Sequence, residues 1–272
     1  LIGLLLPAVQ ASREAARRTA CGSSARQLGL AVLHVHDHLR RFPAGWSGAQ
    51  PTSTDPEVAN LPGWGWAASL LPQIEEQALF DAIDFRSPVF TANDPVRHGS
   101  VRGRPVTAFL CPSDPPGPGE TTRGVFAIGR DDGTEDPPFD GGGLGSVCEV
   151  GKTNYVGCHG WEHEIEEEPD AGDGMLFRNS RISIAQVTDG LSKTILLGER
   201  GSRNGCSSWP GVIAGTKAAM ARVVASGDHV PSRQDGHFDD FSSSHPAGVT
   251  IVFGDASTRS IAPDIDEDVF HA

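Results

Sequence analysis

The most specific chemical pattern in the sequence lies at residues 159–163. His159, Glu162 and His163 fit the H-x-x-E-H pattern of inverted zinc peptidases. In that chemistry two imidazoles on one helical face bind a zinc ion, and the glutamate acts as the general base. Here the pattern follows a predicted strand, contains Gly160 and precedes an acidic run that offers no apolar helical face. We therefore interpret it as a chance match and predict no zinc hydrolase site.

Histidines near the end of a predicted helix form a second candidate metal site. His34 and His38 are four residues apart, so on a helix they share one face. Partly protonated histidines also suit the negative end of a helix dipole, which favours a simple polar helix end. We expect His36, together with Asp37, to cap or tie that end.

Two further patterns are incomplete matches to known sites, one to a catalytic triad and one to a calcium-binding loop. Ser242–Ser244 precede His245, and Asp255 follows ten residues later, but no G-x-S-x-G elbow accompanies this possible Ser-His-Asp set. Near the C-terminus, alternating acids resemble a calcium loop but lack the glycine and distal glutamate of an EF-hand. These acids are Asp264, Asp266 and Asp268. We predict that the protein is not an enzyme, with no catalytic residue and no firm metal site.

Composition restricts the remaining function classes. The chain has 272 residues and a formal net charge of -13, which argues against nucleic acid as a partner because nucleic-acid binding needs a basic face. Its five cysteines contain no C-x-x-C pair, so a zinc ribbon or a thioredoxin-type motif is not predicted. An exported protein with one or two disulfides and a leftover thiol fits this composition.

A long helix is predicted over residues 1–40, because the segment 42–45, which begins with Phe42 and Pro43, is typical of a turn. The rest of the chain is predicted to form a head over residues 41–272. The uncharged start supplies roughly half of the ~20 apolar residues that cross a bilayer. It is therefore either a buried helix end of a soluble protein or part of a membrane helix. We expect membrane or assembly contacts from Leu1, Leu4, Leu5, Leu6, Pro7 and Val9. Further along, one apolar stripe is predicted from Leu28, Val32, Val35 and Leu39.

The head is predicted to combine a second helical stretch with short strands and long loops. Trp64–Ile83 reads as a helix that Pro72 kinks or divides. A hairpin is predicted where Val249–Phe253 and Thr258–Ile261 flank a Gly-Asp turn. Other strands are predicted at Val106–Cys111, Thr153–Cys158, Gly174–Phe177, Ile182–Ile184 and Thr194–Glu199. This order of elements predicts an α+β fold.

Several short blocks together resemble the DUF1559 family, whose members carry a type IV prepilin-like N-terminal segment. The blocks include Leu4–Gln10, Arg13–Cys21, Leu110–Asp114, Asn154–Gly157 and Thr188–Glu199. Near the end, His245 and Asp255 match the family's H-x9-D-G element, but Ala256 replaces its glycine. We expect this element to be associated with processing. Its histidine and aspartate are expected to lie close together if Ser243–Pro246 lies beside the hairpin turn.

The resemblance implies a pilin-like fold, a long N-terminal α-helix packed on an antiparallel β-sheet with long loops. It also suggests a Cys21–Cys111 disulfide, because both cysteines lie within family-like blocks, although the sequence alone does not determine the pairing. Pilin-like secretion proteins hold calcium in C-terminal loops in some cases, so Ca²⁺ near Asp239, Asp240 or Asp255 is a weak expectation. No other cofactor is expected.

The resulting functional expectation is a pilin- or pseudopilin-like exported structural protein, periplasmic or at the cell surface. Its N-terminal helix would anchor it in the inner membrane, and its partners would be like subunits or the secretion or pilus machinery. The competing expectation is an extracytoplasmic solute- or glycan-binding module, with a pocket shaped by the loops at 115–146 and 200–244.

Overall fold

The computed structural model describes residues 2–49, 59–131, 133, 145–232 and 236–271, and for residues 2–6 the backbone alone. The predicted α+β, pilin-like arrangement is confirmed: a long N-terminal helix lies against β-strands, and loops and short helices complete the head. Leu1 lies outside the described residues, as do the side chains of Leu4, Leu5 and Leu6.

Helix α1 spans Ile2–Leu39, 38 residues. This corresponds to about 57 Å at 1.5 Å per residue. It ends at Arg40, which has a left-handed φ of 57°, and the Arg40 N–H donates to the His36 carbonyl at 2.6 Å. The predicted end of the helix is therefore confirmed. Across the helices that the structure describes, none combines the length and the apolar character needed to cross a membrane.

The strands form a five-stranded sheet in the order β7-β4-β5-β8-β9 and a four-stranded sheet in the order β1-β2-β3-β6. Among the described pairs, neighbours are antiparallel except β4 and β7, which are parallel. The strands are β1 Glu120–Thr122, β2 Val125–Gly129, β3 Ser146–Thr153, β4 Tyr155–Gly160, β5 Ile195–Glu199, β6 Ser207–Ser208, β7 Val224–Ser226, β8 Val249–Phe253 and β9 Thr258–Ile261.

Exposure divides α1 into two halves. Residues 7–20 are exposed, apart from Glu14 and Arg17, which are half-buried. From Cys21 onward one stripe is buried and packs mainly against β8, the 3-10 helix Leu71–Ile74 and β5. Leu39, predicted to belong to this stripe, is instead 55% exposed, because the helix ends there. The buried stripe includes Cys21, Ala25, Leu28, Val32 and Val35.

Several predicted elements take a different form. The predicted strand Val106–Cys111 is wrong: a 3-10 helix spans Thr107–Phe109, and the Cys111 N–H donates to the Asn154 side chain instead of to a strand. The short strands predicted at Gly174–Phe177 and Ile182–Ile184 are also wrong, because these residues are irregular except for Ile184, which begins the 3-10 helix Ile184–Gln186. The stretch Trp64–Ile83 is divided at Pro72, as predicted, into pieces at Trp66–Ser69, Leu71–Ile74 and Gln77–Asp81.

Two glycines of α1 give a matched test of how closely the helix approaches β8. A Cβ on Gly22 would meet no atom within 4 Å, whereas one on Gly29 would lie 2.7 Å from Val252 Cγ1 and 3.1 Å from Ala256 Cβ. We expect Gly22→Ala to raise the free energy of unfolding by about 1 kcal/mol through helix propensity. Gly29→Ala should lower it by about 1–3 kcal/mol through overpacking. Urea denaturation of both variants measures this, and shifts of the same sign would contradict the close approach.

Candidate functional site

A disulfide marks the point where the exposed half of α1 ends. Cys21 on α1 is bonded to Cys111, which follows the 3-10 helix Thr107–Phe109. The pairing suggested by the family resemblance is therefore confirmed. Cys148, Cys158 and Cys206 remain as thiols. The long helix is thus covalently attached to the head.

His245 lies beside this disulfide with a fully buried side chain. Its Nδ1 is 2.5 Å from Glu14 Oε1, and its Nε2 is 3.3 Å from Cys111 Sγ and 3.6 Å from Glu199 Oε1. An ionised carboxylate only accepts hydrogen bonds, so Nδ1 carries a proton toward Glu14. His245 therefore connects α1, the disulfide and the end of β5.

Glu14 holds this end of α1 against the head. Its Oε2 accepts hydrogen bonds from Arg17 Nη2 at 2.7 Å and Ser113 Oγ at 3.1 Å. Partial burial alone raises the pKa of Glu14, but the hydrogen bonds from His245, Arg17 and Ser113 outweigh it and lower the pKa below its usual value. Glu14 is therefore ionised at neutral pH.

Removing this carboxylate should loosen the contact between α1 and the head. We expect Glu14→Ala to lower the free energy of unfolding by about 1–3 kcal/mol at pH 7, because the buried Nδ1–H of His245 loses its acceptor. Arg13→Ala, an exposed change one residue away, should have little effect.

The loss of stability in Glu14→Ala should become smaller as the pH falls. Because the folded pKa of Glu14 lies below its ordinary value of 4.5, its contribution is present above 4.5 and is lost as pH falls through the folded pKa. Urea denaturation at several pH values measures the difference between wild type and Glu14→Ala. A difference that grew toward acid pH would contradict the assigned role.

A buried charge cluster fixes the segment that follows Cys111. Lys152 Nζ lies 2.8 Å from Asp114 Oδ2 and 3.0 Å from Glu120 Oε2, and all three side chains are at most 5% exposed. Burial opposes ionisation of Asp114, but the charge and hydrogen bond of Lys152, with bonds from Ser202, lower the pKa of Asp114 below its usual range. Burial likewise opposes the charge of Lys152, but Asp114 raises the pKa of Lys152 above its ordinary value.

Asn154 and Tyr155 join this cluster to the disulfide. Asn154 Oδ1 accepts the Cys111 N–H at 2.9 Å, and Asn154 Nδ2 donates to Asp114 Oδ2 at 2.8 Å. Tyr155 Oη donates to the Cys21 carbonyl at 2.9 Å. Asn154 also separates β3 from β4, so the predicted strand Thr153–Cys158 begins two residues too early, at the end of β3.

Family-like blocks that are far apart in sequence therefore meet in one place. Sequence reasoning found the disulfide and His245 but assigned no role to Glu14, Glu199 or Lys152. Glu14 and Glu199 could have been identified as candidates, because both lie within sequence blocks that resemble the family. Lys152 lies two residues before such a block and carries no signal of its own.

The predicted proximity of His245 and Asp255 is wrong. His245 precedes β8 and Asp255 follows it, so the two residues lie at opposite ends of a five-residue strand. Such a strand is about 17 Å long at 3.3 Å per residue. Asp255 is exposed and accepts the Ser257 N–H at 2.8 Å within its own turn. The H-x9-D spacing therefore corresponds to strand β8, which separates the contact of His245 with Glu14 from the contact of Asp255 with Ser257.

The backbone conformation of Ala256 gives a physical reason for the glycine that the family element has at this position. Its φ is 61°, in the left-handed region that glycine adopts without a steric cost. Ala256 is also buried, next to Gly29 of α1. The glycine of the family pattern therefore corresponds to a backbone requirement of the β8–β9 turn.

The weak calcium candidates do not converge. Asp240 accepts the His237 N–H at 2.6 Å and lies 3.2 Å from His229 Nδ1, whereas the Asp239 carbonyl accepts from Arg200. Asp255 lies at the β8–β9 turn. Ligand atoms of Asp228, His229 and Asp240 lie within 4.8 Å of one another, but calcium prefers six to eight oxygen ligands. Calcium near Asp239, Asp240 or Asp255 stays a prediction.

The histidine patterns do not form the geometry of a zinc site. His159 is buried on β4, whereas His163 lies beyond it in a turn and bonds Glu168 at 2.8 Å, so the two do not share a helical face. On α1, His34 and His38 are exposed, and His36 accepts the Ile184 N–H at 3.4 Å. His36 thus ties the helix end to the head. Ser244 donates to Asp114 at 3.0 Å, not to an imidazole.

Fold and site together define an α+β protein with a long N-terminal helix, disulfide-bonded to its head. The chain belongs to the family described as protein of unknown function (DUF1559), which matches residues 10–268. Membership indicates an extracellular or secreted protein, in agreement with the disulfide. No curated protein and no solved structure matches the chain significantly.

Proposed function

We propose that this protein is a non-enzymatic, pilin-like structural subunit that its N-terminal helix holds in a membrane or among like subunits. The observation that carries the proposal is the exposed half of α1. Residues 2–20 are helical and extend about 28 Å at 1.5 Å per residue. Residues 7–20 are exposed except at Glu14 and Arg17, and a helix half that packs so little on its own head suits a subunit that assembles through helix contacts.

The distribution of charge along the chain supports a membrane location for the start of α1 and a solvent location for the head. Residues 7–12 carry no charge, and Arg13, Arg17 and Arg18 follow within two turns. Basic residues beside an uncharged helical segment favour the surface of an anionic membrane. The net charge of -13 favours solvent for the head and disfavours nucleic acid as a partner. Like subunits and the export or pilus machinery are the proposed protein partners, and neither a cofactor nor catalysis is part of the role.

A charge placed on the exposed half tests the proposal. A charged residue in a lipid or helix contact costs about 3 kcal/mol, so Val9→Glu should reduce membrane or filament association about 100-fold. Val96→Glu is the matched control, because Val96 is 83% exposed in a head loop. The measurement is the fraction of native protein that sediments with membranes or filaments. Equal fractions for both variants would count against the proposal.

Mass spectrometry of the N-terminal peptide from source cells addresses processing directly. An N-methylated first residue is expected for prepilin-type processing. An N-terminus produced by an ordinary signal peptidase would instead favour the second candidate below.

A cleft in the head favours an extracytoplasmic solute- or glycan-binding module as the second candidate. It has a volume of about 970 Å³ and is lined by residues from 115–118, 201–204 and 236–244, within the loops predicted to shape a pocket. Serine hydroxyls and the Phe238 ring line it, which suits a polar, ring-shaped ligand. A glycan from a defined panel should raise the Tm of wild type but not of Phe238→Ala. Trp161→Ala, an exposed aromatic outside the cleft, is the control.

A further inference from the structure

Four buried side chains with metal-binding atoms converge beside α1: Cys21, Cys111, Glu199 and His245. One ligand atom of each lies within 4.8 Å of the others. In the oxidised protein the two sulfurs are bonded to each other. We propose that, once this disulfide is reduced to two thiols, the four side chains bind one zinc ion in a tetrahedral Cys₂-His-Glu site. The proposal concerns the thiol form of the protein and does not depend on filament assembly.

The orientation of His245 is that of a zinc ligand. Metal-bound histidines typically donate their second ring N–H to a carboxylate, which fixes the tautomer and the ring orientation. Here Nδ1 points to Glu14 Oε1 at 2.5 Å, and Nε2 points to Cys111 Sγ at 3.3 Å. The outer contact of a zinc site is therefore already in place, and Nε2 faces the sulfurs.

Glu199 supplies the fourth ligand. Its Oε1 lies 3.6 Å from His245 Nε2, and its Oε2 accepts the Thr250 N–H at 3.4 Å, so one oxygen is held by the backbone and the other faces the cluster. Burial raises the pKa of Glu199 above its ordinary value, and a divalent cation would favour the ionised form. Two thiolates with one imidazole select zinc over calcium or magnesium, which prefer oxygen ligands.

The chemistry balances with a dithiol as the reductant. The dithiol gives two electrons and two protons to the Cys21–Cys111 bond and becomes a disulfide itself. Zinc then replaces the two thiol protons, which pass to solvent. Zinc–sulfur bonds of about 2.3 Å place the sulfurs farther apart than a disulfide does, so α1 must shift outward by about 1–2 Å. The exposed half of α1 begins at this point. Among the described residues, the contacts of Glu14 with His245 and Ser113 and the bond from Tyr155 Oη to the Cys21 carbonyl oppose that shift.

The test uses the full chain in both redox forms. After reduction with a dithiol, removal of the reductant under nitrogen and addition of zinc chloride, gel filtration should leave about one zinc ion per chain. The oxidised chain should retain none. Cobalt(II) in place of zinc should give sulfur-to-metal charge-transfer and tetrahedral ligand-field bands only with the reduced chain. A reduced chain without zinc and without these bands would overturn the proposal.

Variants locate the site. His245→Gln should weaken zinc binding at least 10-fold and change the cobalt spectrum, whereas Cys148→Ser, which alters a thiol outside the cluster, should leave both unchanged. Zinc binding that survives Cys111→Ser would overturn the assignment. If reduction unfolds the chain, zinc should restore the far-UV circular dichroism of the folded protein. A spectrum that stays unfolded with zinc would also overturn it.

Discussion

Replacing Cys21 and Cys111 together by alanine lowers the free energy of unfolding by an expected 4–5 kcal/mol, on the order given by chain entropy for a loop of this size. The disulfide closes a sequence separation of 90 residues, so its loss frees a long loop in the unfolded chain. The double replacement leaves neither an unpaired thiol nor a bulky side chain beside His245. Chemical denaturation without reductant measures the loss.

The matched control changes a thiol outside the disulfide. Cys148→Ala removes a half-buried thiol on β3 and should alter the free energy of unfolding by about 1 kcal/mol or less. A loss below about 1 kcal/mol in the double variant would show that the non-covalent contacts of α1 alone hold the helix to the head.

The second large effect is expected for Lys152→Met. This change leaves the buried carboxylates of Asp114 and Glu120 without their shared cation, and breaking a buried pair in this way costs about 3–5 kcal/mol. The exposed pair of Arg97 and Asp84 provides the control, since both side chains are nearly half exposed. Arg97→Ala should cost about 1 kcal/mol or less.

The pH dependence of Lys152→Met separates lost charge pairing from lost packing. The pKa values of Asp114 and Glu120 lie below their ordinary values of 3.8 and 4.5. Their pairing therefore contributes above those ordinary values and is lost as pH falls through the folded pKa values. For Lys152, with a raised pKa, the contribution is lost as pH rises through a folded pKa above 10.5. The deficit of the variant should be largest near neutral pH, and a deficit that did not vary with pH would identify packing as its cause.

Short sequence patterns correctly predicted those elements whose boundaries depend on neighbouring residues alone. The apolar stripe predicted the buried face of α1, the Phe42-Pro43 turn predicted its end, and Pro72 predicted the division of the second helical stretch. The β-rich composition of 106–111 misled the prediction, because Phe109 and Leu110 donate their N–H groups within a 3-10 turn and Cys111 donates to the Asn154 side chain. No local pattern carries that information.

The candidate site was largely unpredictable because its members are far apart in sequence. Glu14 and His245 are separated by 231 positions and Asp114 and Ser202 by 88, and neither pair has a spacing rule. The Cys21–Cys111 pairing came from the family resemblance, since five cysteines allow many pairings. The H-x9-D spacing suggested a contact between His245 and Asp255, but the strand between them keeps them apart.

The position of the disulfide also determines how the protein responds to mechanical force. Tension applied along the exposed half of α1 reaches Cys21 and passes through a covalent bond to Cys111, so residues 22–110 lie outside the load path. The contacts of Glu14 with His245 and Ser113 carry load before the disulfide, and beyond it the load passes to the segment around Asp114, held by Lys152 and Asn154. The packing of α1 on the sheet is thereby shielded from tension for as long as the disulfide remains intact.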